Sequence, residues 1–139
     1  MAEFDLKTML ETMSPELQQG RFVFVALDGG SAPDLEVQAT VLEPEGRSAV
    51  IAQAEADRLG LEYDFVAAWI TLRVESALSA VGLTAAVSSC LAEAGVSCNV
   101  IAGLRHDHLL VPAESAGVAV RELEALSDTA RGGPSRRGE

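Results

Sequence analysis

Leu6, Met9, Leu10 and Met13 recur at helical spacing and predict a short amphipathic helix over residues 5–12, closed at Ser14-Pro15, where proline disfavours continuation. Standing ahead of the strand-rich segments, it reads as a lid or an arm. Phe22–Leu27 is a β-branched and aromatic run between Gly20 and Asp28-Gly29-Gly30, the punctuation of a strand, with Asp28-Gly29-Gly30-Ser31 read as a turn. Residues 37–42 and 48–52 are apolar runs on either side of Glu43-Pro44-Glu45-Gly46 and predict a hairpin. A short helix over Gln53–Leu59 follows and ends at Gly60, the expected C-terminal cap.

In the second half, residues 67–74 read as a buried strand. Leu83, Val87, Cys90, Leu91 and Ala94 then form one apolar helical stripe, stopped by Gly95. Residues 96–102 and 107–111 predict two strands joined by a turn at 103–106, and Pro112 suits a helix start. Ala116, Ala119, Val120, Leu123 and Leu126 give a final amphipathic helix to about Ser127. From Asp128 onward the only apolar side chain is Ala130, which predicts a disordered tail that is dispensable for folding.

The order strand, helix, strand, strand, helix is that of a split βαβ unit, so the expected class is α+β with helices on one face of antiparallel sheets. The first half offers three strands and a shorter helix. Two small units side by side follow: an amino-terminal unit with its leading helix over 1–64, a second over 65–127, and the tail over 128–139. The chain has 139 residues, 48% of them hydrophobic and 22% charged, which suits one compact globular body. Its net charge of −11 repels phosphate backbones and acidic membrane surfaces, so neither nucleic acid nor membrane is an expected partner. Glu3 and Asp5 stand where a signal peptide needs a basic start, and the two cysteines, Cys90 and Cys98, are expected as thiols in the cytoplasm.

Residues 81–112, VGLTAAVSSCLAEAGVSCNVIAGLRHDHLLVP, resemble an ACT domain of the bacterial branch related to the CASTOR-type ACT domains. The resemblance is carried by Gly82-Leu83 at the mouth of the helix, the helix exit over 91–96, the strand over 97–102 and the His-Asp-His-Leu opening over 106–109. Trp69-Ile70-Thr71-Leu72 also fits, and Met13-Ser14-Pro15 through Gly20-Arg21-Phe22-Val23-Phe24 resembles the amino-terminal ACT-like part of the same small proteins. It spans roughly residues 5 to 127 and implies a ferredoxin-like βαββαβ fold that binds amino acids or similar small metabolites between domains or subunits, usually in free-standing regulatory proteins. The second half lacks the last strand of βαββαβ, so a strand from the first half or from another subunit is needed to complete its sheet.

Gly82, Leu83 and Thr84 sit where a loop meets a helix N-terminus, whose free N–H groups and dipole suit a carboxylate; Thr84 is alternatively only an N-cap. Ser76 and Ser79 in the preceding link are weaker companions. Asp107, between His106 and His108, is placed to pair with a ligand ammonium or else to cap a turn. His106 and His108, two apart on a strand, are expected on the same face, where they are placed to start a metal site, but no third and fourth ligands at metal spacing follow, so no metal is expected. Asn99, polar within an apolar strand, needs a partner if buried. Neither a nucleophile elbow nor a P-loop nor a zinc-protease motif is present, so neither catalysis nor a cofactor is expected. The expectation is an amino-acid-binding regulatory or sensor protein that forms a homodimer, because unpaired sheet edges invite self-association; a ligand-free structural homodimerisation module is the alternative.

Overall fold

The computed structural model describes residues 5–27 and 34–132. The turn expected at Asp28-Gly29-Gly30-Ser31 lies outside the described residues. In chain order the elements are α1 (Leu6–Thr12), β1 (Ser14–Leu17), β2 (Phe22–Leu27), β3 (Ala39–Glu43), β4 (Gly46–Ala52), α2 (Gln53–Leu59), β5 (Val66–Arg73), α3 (Leu83–Glu93), β6 (Asn99–Ala102), β7 (Asp107–Pro112) and α4 (Ala116–Ala130). A single 3-10 turn, Ala113–Ser115, joins β7 to α4.

The strands form one seven-stranded antiparallel sheet in the order β3-β4-β2-β5-β7-β6, with β1 also on β5. Strand β5 is the hinge between two four-stranded units. Toward the first half it closes β5-β2-β4-β3 through Phe22↔Ala67 and Val23↔Val66. Toward the second it closes β1-β5-β7-β6 through Ser14↔Arg73 to Leu17↔Ile70. The strand that the second half lacks therefore comes from the amino-terminal end of the same chain. Between Leu17↔Ile70 and Phe22↔Ala67 the chain advances five residues against three on β5, so two extra residues bulge out there, with Gly20 at φ +89°. The sequence reading had only a helix end at Ser14-Pro15. Pro15 is tolerated in β1 because this short strand needs no donor from it.

Side-chain alternation puts all four helices on one face. Ala68, Ile70 and Leu72 of β5 and Leu109 and Val111 of β7 pack with α3, α4 and α1 through Val87, Leu91, Ala119, Leu123 and Met9. Val66, on the same face of β5, joins Val23, Val25, Ala49 and Ile51 under Ala56 of α2. Helix α1 is thus no lid or arm: Met9 is fully buried and Met13 nearly so. The tail boundary also shifts. Helix α4 runs through Asp128 to Ala130, because Ser127 is buried and donates to Met13 O at 3.2 Å, and Arg131 donates to Glu11 O at 2.9 Å and Ser127 Oγ at 2.8 Å.

The opposite face carries no helix among the described residues. There Phe22, Val50, Ala67, Trp69 and Leu110 bury one another, with the Phe22 and Trp69 rings 5.5 Å apart. Phe24 and Val41 are exposed on the same face. A polar seam crosses it: Trp69 Nε1 donates to His108 Nδ1 at 3.2 Å, the Thr71 hydroxyl lies 3.1 Å from that nitrogen, and Gln18 Nε2 donates to Thr71 Oγ1 at 3.3 Å. Both expected cysteine thiols are free, Cys90 buried and Cys98 half-buried.

Candidate functional site

Three segments of the second unit meet at a cavity of about 140 Å³: the link from β5 to α3, the first turn of α3, and the turn from β6 to β7. The link exists because Gly82 allows a sharp entry into the helix. Its φ of +108° is one that side-chain-bearing residues avoid, and a Cβ there would meet Leu6 Cδ2 of α1 at 3.0 Å. Gly82 is the N-cap of α3 and supplies no side-chain bond. The first helical bond runs from Ala86 N–H to Gly82 O at 2.9 Å, which leaves the Leu83, Thr84 and Ala85 N–H groups without helical acceptors. Thr84 lies inside the helix, so the N-cap alternative for it is replaced by Gly82.

The far wall is the β6–β7 turn. Gly103 N–H donates to His106 O at 2.9 Å and closes it, at such range that a Cβ on Gly103 would stand 2.9 Å from that oxygen and 3.2 Å from His108 Nε2. Only a glycine leaves this wall in place. His106 Nδ1 is buried with no hydrogen-bond partner among the described residues. Burial raises the Asp107 carboxyl above the ordinary carboxylate range, an effect opposed by nearby His108. Burial lowers His108, and His106 adds to that, while Asp107 opposes it.

Of the residues singled out from sequence, Gly82, Leu83, Thr84, His106 and Asp107 line this one cavity, together with Ser76. Ser79 and Asn99 do not. Ser79 is exposed in the link, and Asn99 sits exposed on β6 opposite Leu110, open to solvent, so no buried partner is required. His108 does not share a site with His106: it faces Thr71 and Ile101 on the open side of the sheet, while His106 lies in the turn ahead of β7. Gly103 and Arg105 were missed. The signal for them was a glycine and a cation in the turn that separates the two strands. Among the described residues no group of three His, Cys, Asp or Glu side chains is placed to hold a metal ion, and no helix is long and apolar enough to cross a membrane.

A solved Vibrio cholerae protein of unknown function, described as a possible transport protein, is 44% identical, with a TM-score of 0.79 over 88% of this chain and 95% of that one. The ligand-free regulatory subunit of aspartate kinase from Thermus thermophilus superposes with a TM-score of 0.61 at 11% identity, over 81% of this chain and 95% of its own. An Agrobacterium tumefaciens protein does so at 0.60 and 15% identity, over 83% and 89%. At these lower identities the likeness is one of fold: a ferredoxin-like ACT fold in two units. No curated protein matches the sequence. Residues 1–68 match one ACT domain family and residues 65–125 another, the two meeting on β5, the strand that both units share. The chain belongs to the ACT-domain family and carries two such domains in tandem.

Proposed function

We propose that this protein is a regulatory or sensor protein of the CASTOR-type ACT branch that binds a free amino acid in the cavity of its second domain and performs no catalysis. One observation carries the reading: the N-terminus of α3, which has no side-chain cap bond, and the half-buried Asp107 carboxyl border the same small cavity. A zwitterion fits that pair, its carboxylate on the α3 N–H groups and its ammonium on Asp107, with Thr84 and Ser76 hydroxyls beside it. An ammonium at Asp107 also offsets the cost of burying that carboxylate. The proposed setting is cytoplasmic, in keeping with two free thiols.

The test is a thermal-shift screen of the proteinogenic amino acids, in which a ligand at ~100 times its dissociation constant adds ~2.7 kcal/mol of stability. Calorimetry with the hit then compares the protein with Asp107→Ala. A lost charge-assisted bond of about 1.5–3 kcal/mol weakens binding roughly ten- to hundredfold. Unchanged affinity in Asp107→Ala removes the site from this cavity.

A second reading is a ligand-free module that works by homodimerisation. The outer strands β3 and β6 and the exposed Phe24 and Val41 favour it, since open edges and apolar side chains invite pairing. Dimerisation unaffected by any amino acid, with no thermal shift, selects that reading.

A further inference from the structure

Resting on the amino-acid reading above, we propose that the ligand is an α-amino acid with a carboxylate side chain, and that Arg105 is the residue that selects it. The cavity brings the first-turn N–H groups of α3 and the Arg105 guanidinium together with a single carboxylate, Asp107. A neutral zwitterion uses the α3 N–H groups for its carboxylate and Asp107 for its ammonium, and the Arg105 guanidinium then remains in the wall without a counterpart. Arg105 makes no hydrogen bond or ion pair among the described residues, whereas Arg73, next to the same turn, is held by Glu16 at 2.7 Å. The β6–β7 turn fixes where the Arg105 backbone stands, because Gly103 and His106 close it by a backbone bond, and the side chain starts from the rim of the cavity. A planar guanidinium with five donors is matched best by a carboxylate taken two oxygens at a time.

Two further features agree. His106, beside Arg105 in the same wall, holds a buried ring nitrogen with no partner, a hydrogen-bonding position that the fold itself leaves unfilled. The walls are built from Ser76, Ala77, Ala80, Ala102 and Gly103, and Leu78 turns largely to solvent. This lining of small side chains suits a short polar side chain and offers no wide apolar slot for an aromatic one. The net charge of −11 opposes an anionic ligand at long range, but screening over ~8 Å at physiological salt leaves the contacts in the cavity to decide.

Calorimetry on the full chain with L-aspartate, L-glutamate, L-asparagine and L-glutamine tests this, together with Arg105→Gln, an exposed substitution whose folding is checked by circular dichroism. The expected result is at least about tenfold tighter binding of one acid than of its amide, and collapse of that ratio toward one in Arg105→Gln. An amide or an apolar amino acid bound as tightly as either acid overturns the selectivity while leaving the amino-acid reading intact. An acid preference that survives in Arg105→Gln overturns the role of Arg105. Binding of no amino acid at all removes the underlying reading and this inference with it.

Discussion

Met9→Ala separates a structural helix α1 from a peripheral arm. Met9 is fully buried, in one cluster with Val87 and Leu91 of α3 and Ala119 and Leu123 of α4. The substitution removes three side-chain heavy atoms from a site walled by two other helices, which cannot collapse without moving them. Core truncations of this kind cost about 2–5 kcal/mol, the lost transfer energy plus the cavity left behind. For a chain of this size that lowers the melting temperature by roughly 6–15 °C. Urea denaturation followed by circular dichroism measures the loss, with an unchanged slope showing that the same surface unfolds. Lys7→Ala is the control, because the exposed Lys7–Glu11 pair faces water and its removal should leave the midpoint in place. A Met9→Ala loss within about 0.5 kcal/mol, the range of ordinary surface changes, refutes the packing argument and returns α1 to the role of an arm.

Gly103→Ala should cost about 1–3 kcal/mol, since its Cβ would press on the His106 carbonyl and the turn has to shift; a variant of full stability shows that the wall is softer than its geometry indicates. Arg131→Ala should destabilise by ~1 kcal/mol through loss of its bonds to Glu11 O and Ser127 Oγ, and truncation after Ser127 should cost at least as much; equal melting temperatures restore the tail boundary at residue 128. Neutral His108 accepts from Trp69, and its folded pKa lies below the ordinary value of about 6.5, so the unfolded chain takes the proton first as pH falls. Stability should therefore be intact above that value and fall below it more steeply than in His108→Gln, as read from urea midpoints at several pH values, and parallel profiles would exclude the coupling. The single tryptophan, its ring 5.2 Å from that of His108, reports the same protonation by fluorescence.

Much of the local architecture was legible because it depends on spacing along the chain. Phe22–Leu27 is a β-branched and aromatic run between glycine-bearing ends, the stripe of Leu83, Val87, Cys90 and Leu91 has the helical period, and Gly60 and Gly95 stop helices where no side chain is tolerated well. The pairing of the glycine mouth of α3 with Asp107 was legible for a similar reason: a helix entry and a strand start carry local signatures, and a split βαβ order brings them to the same end of the sheet. What tertiary structure alone decided is partnership. Ser14–Leu17, with a proline and a glutamate among four residues, has no strand signature, and becomes one because the edge of β5 beyond Val66 and Ala67 offers unpaired backbone groups. The leading helix showed an apolar face but not that α3 and α4 would close over Met9. Asp128 and Arg131 look like the start of a polar tail until Ser127 and Glu11, 116 residues apart, are brought within reach of one guanidinium. His106 and His108, two residues apart, part company because one lies in a turn and the other in a strand, and no local spacing determines which side of a twisted sheet a turn residue will face.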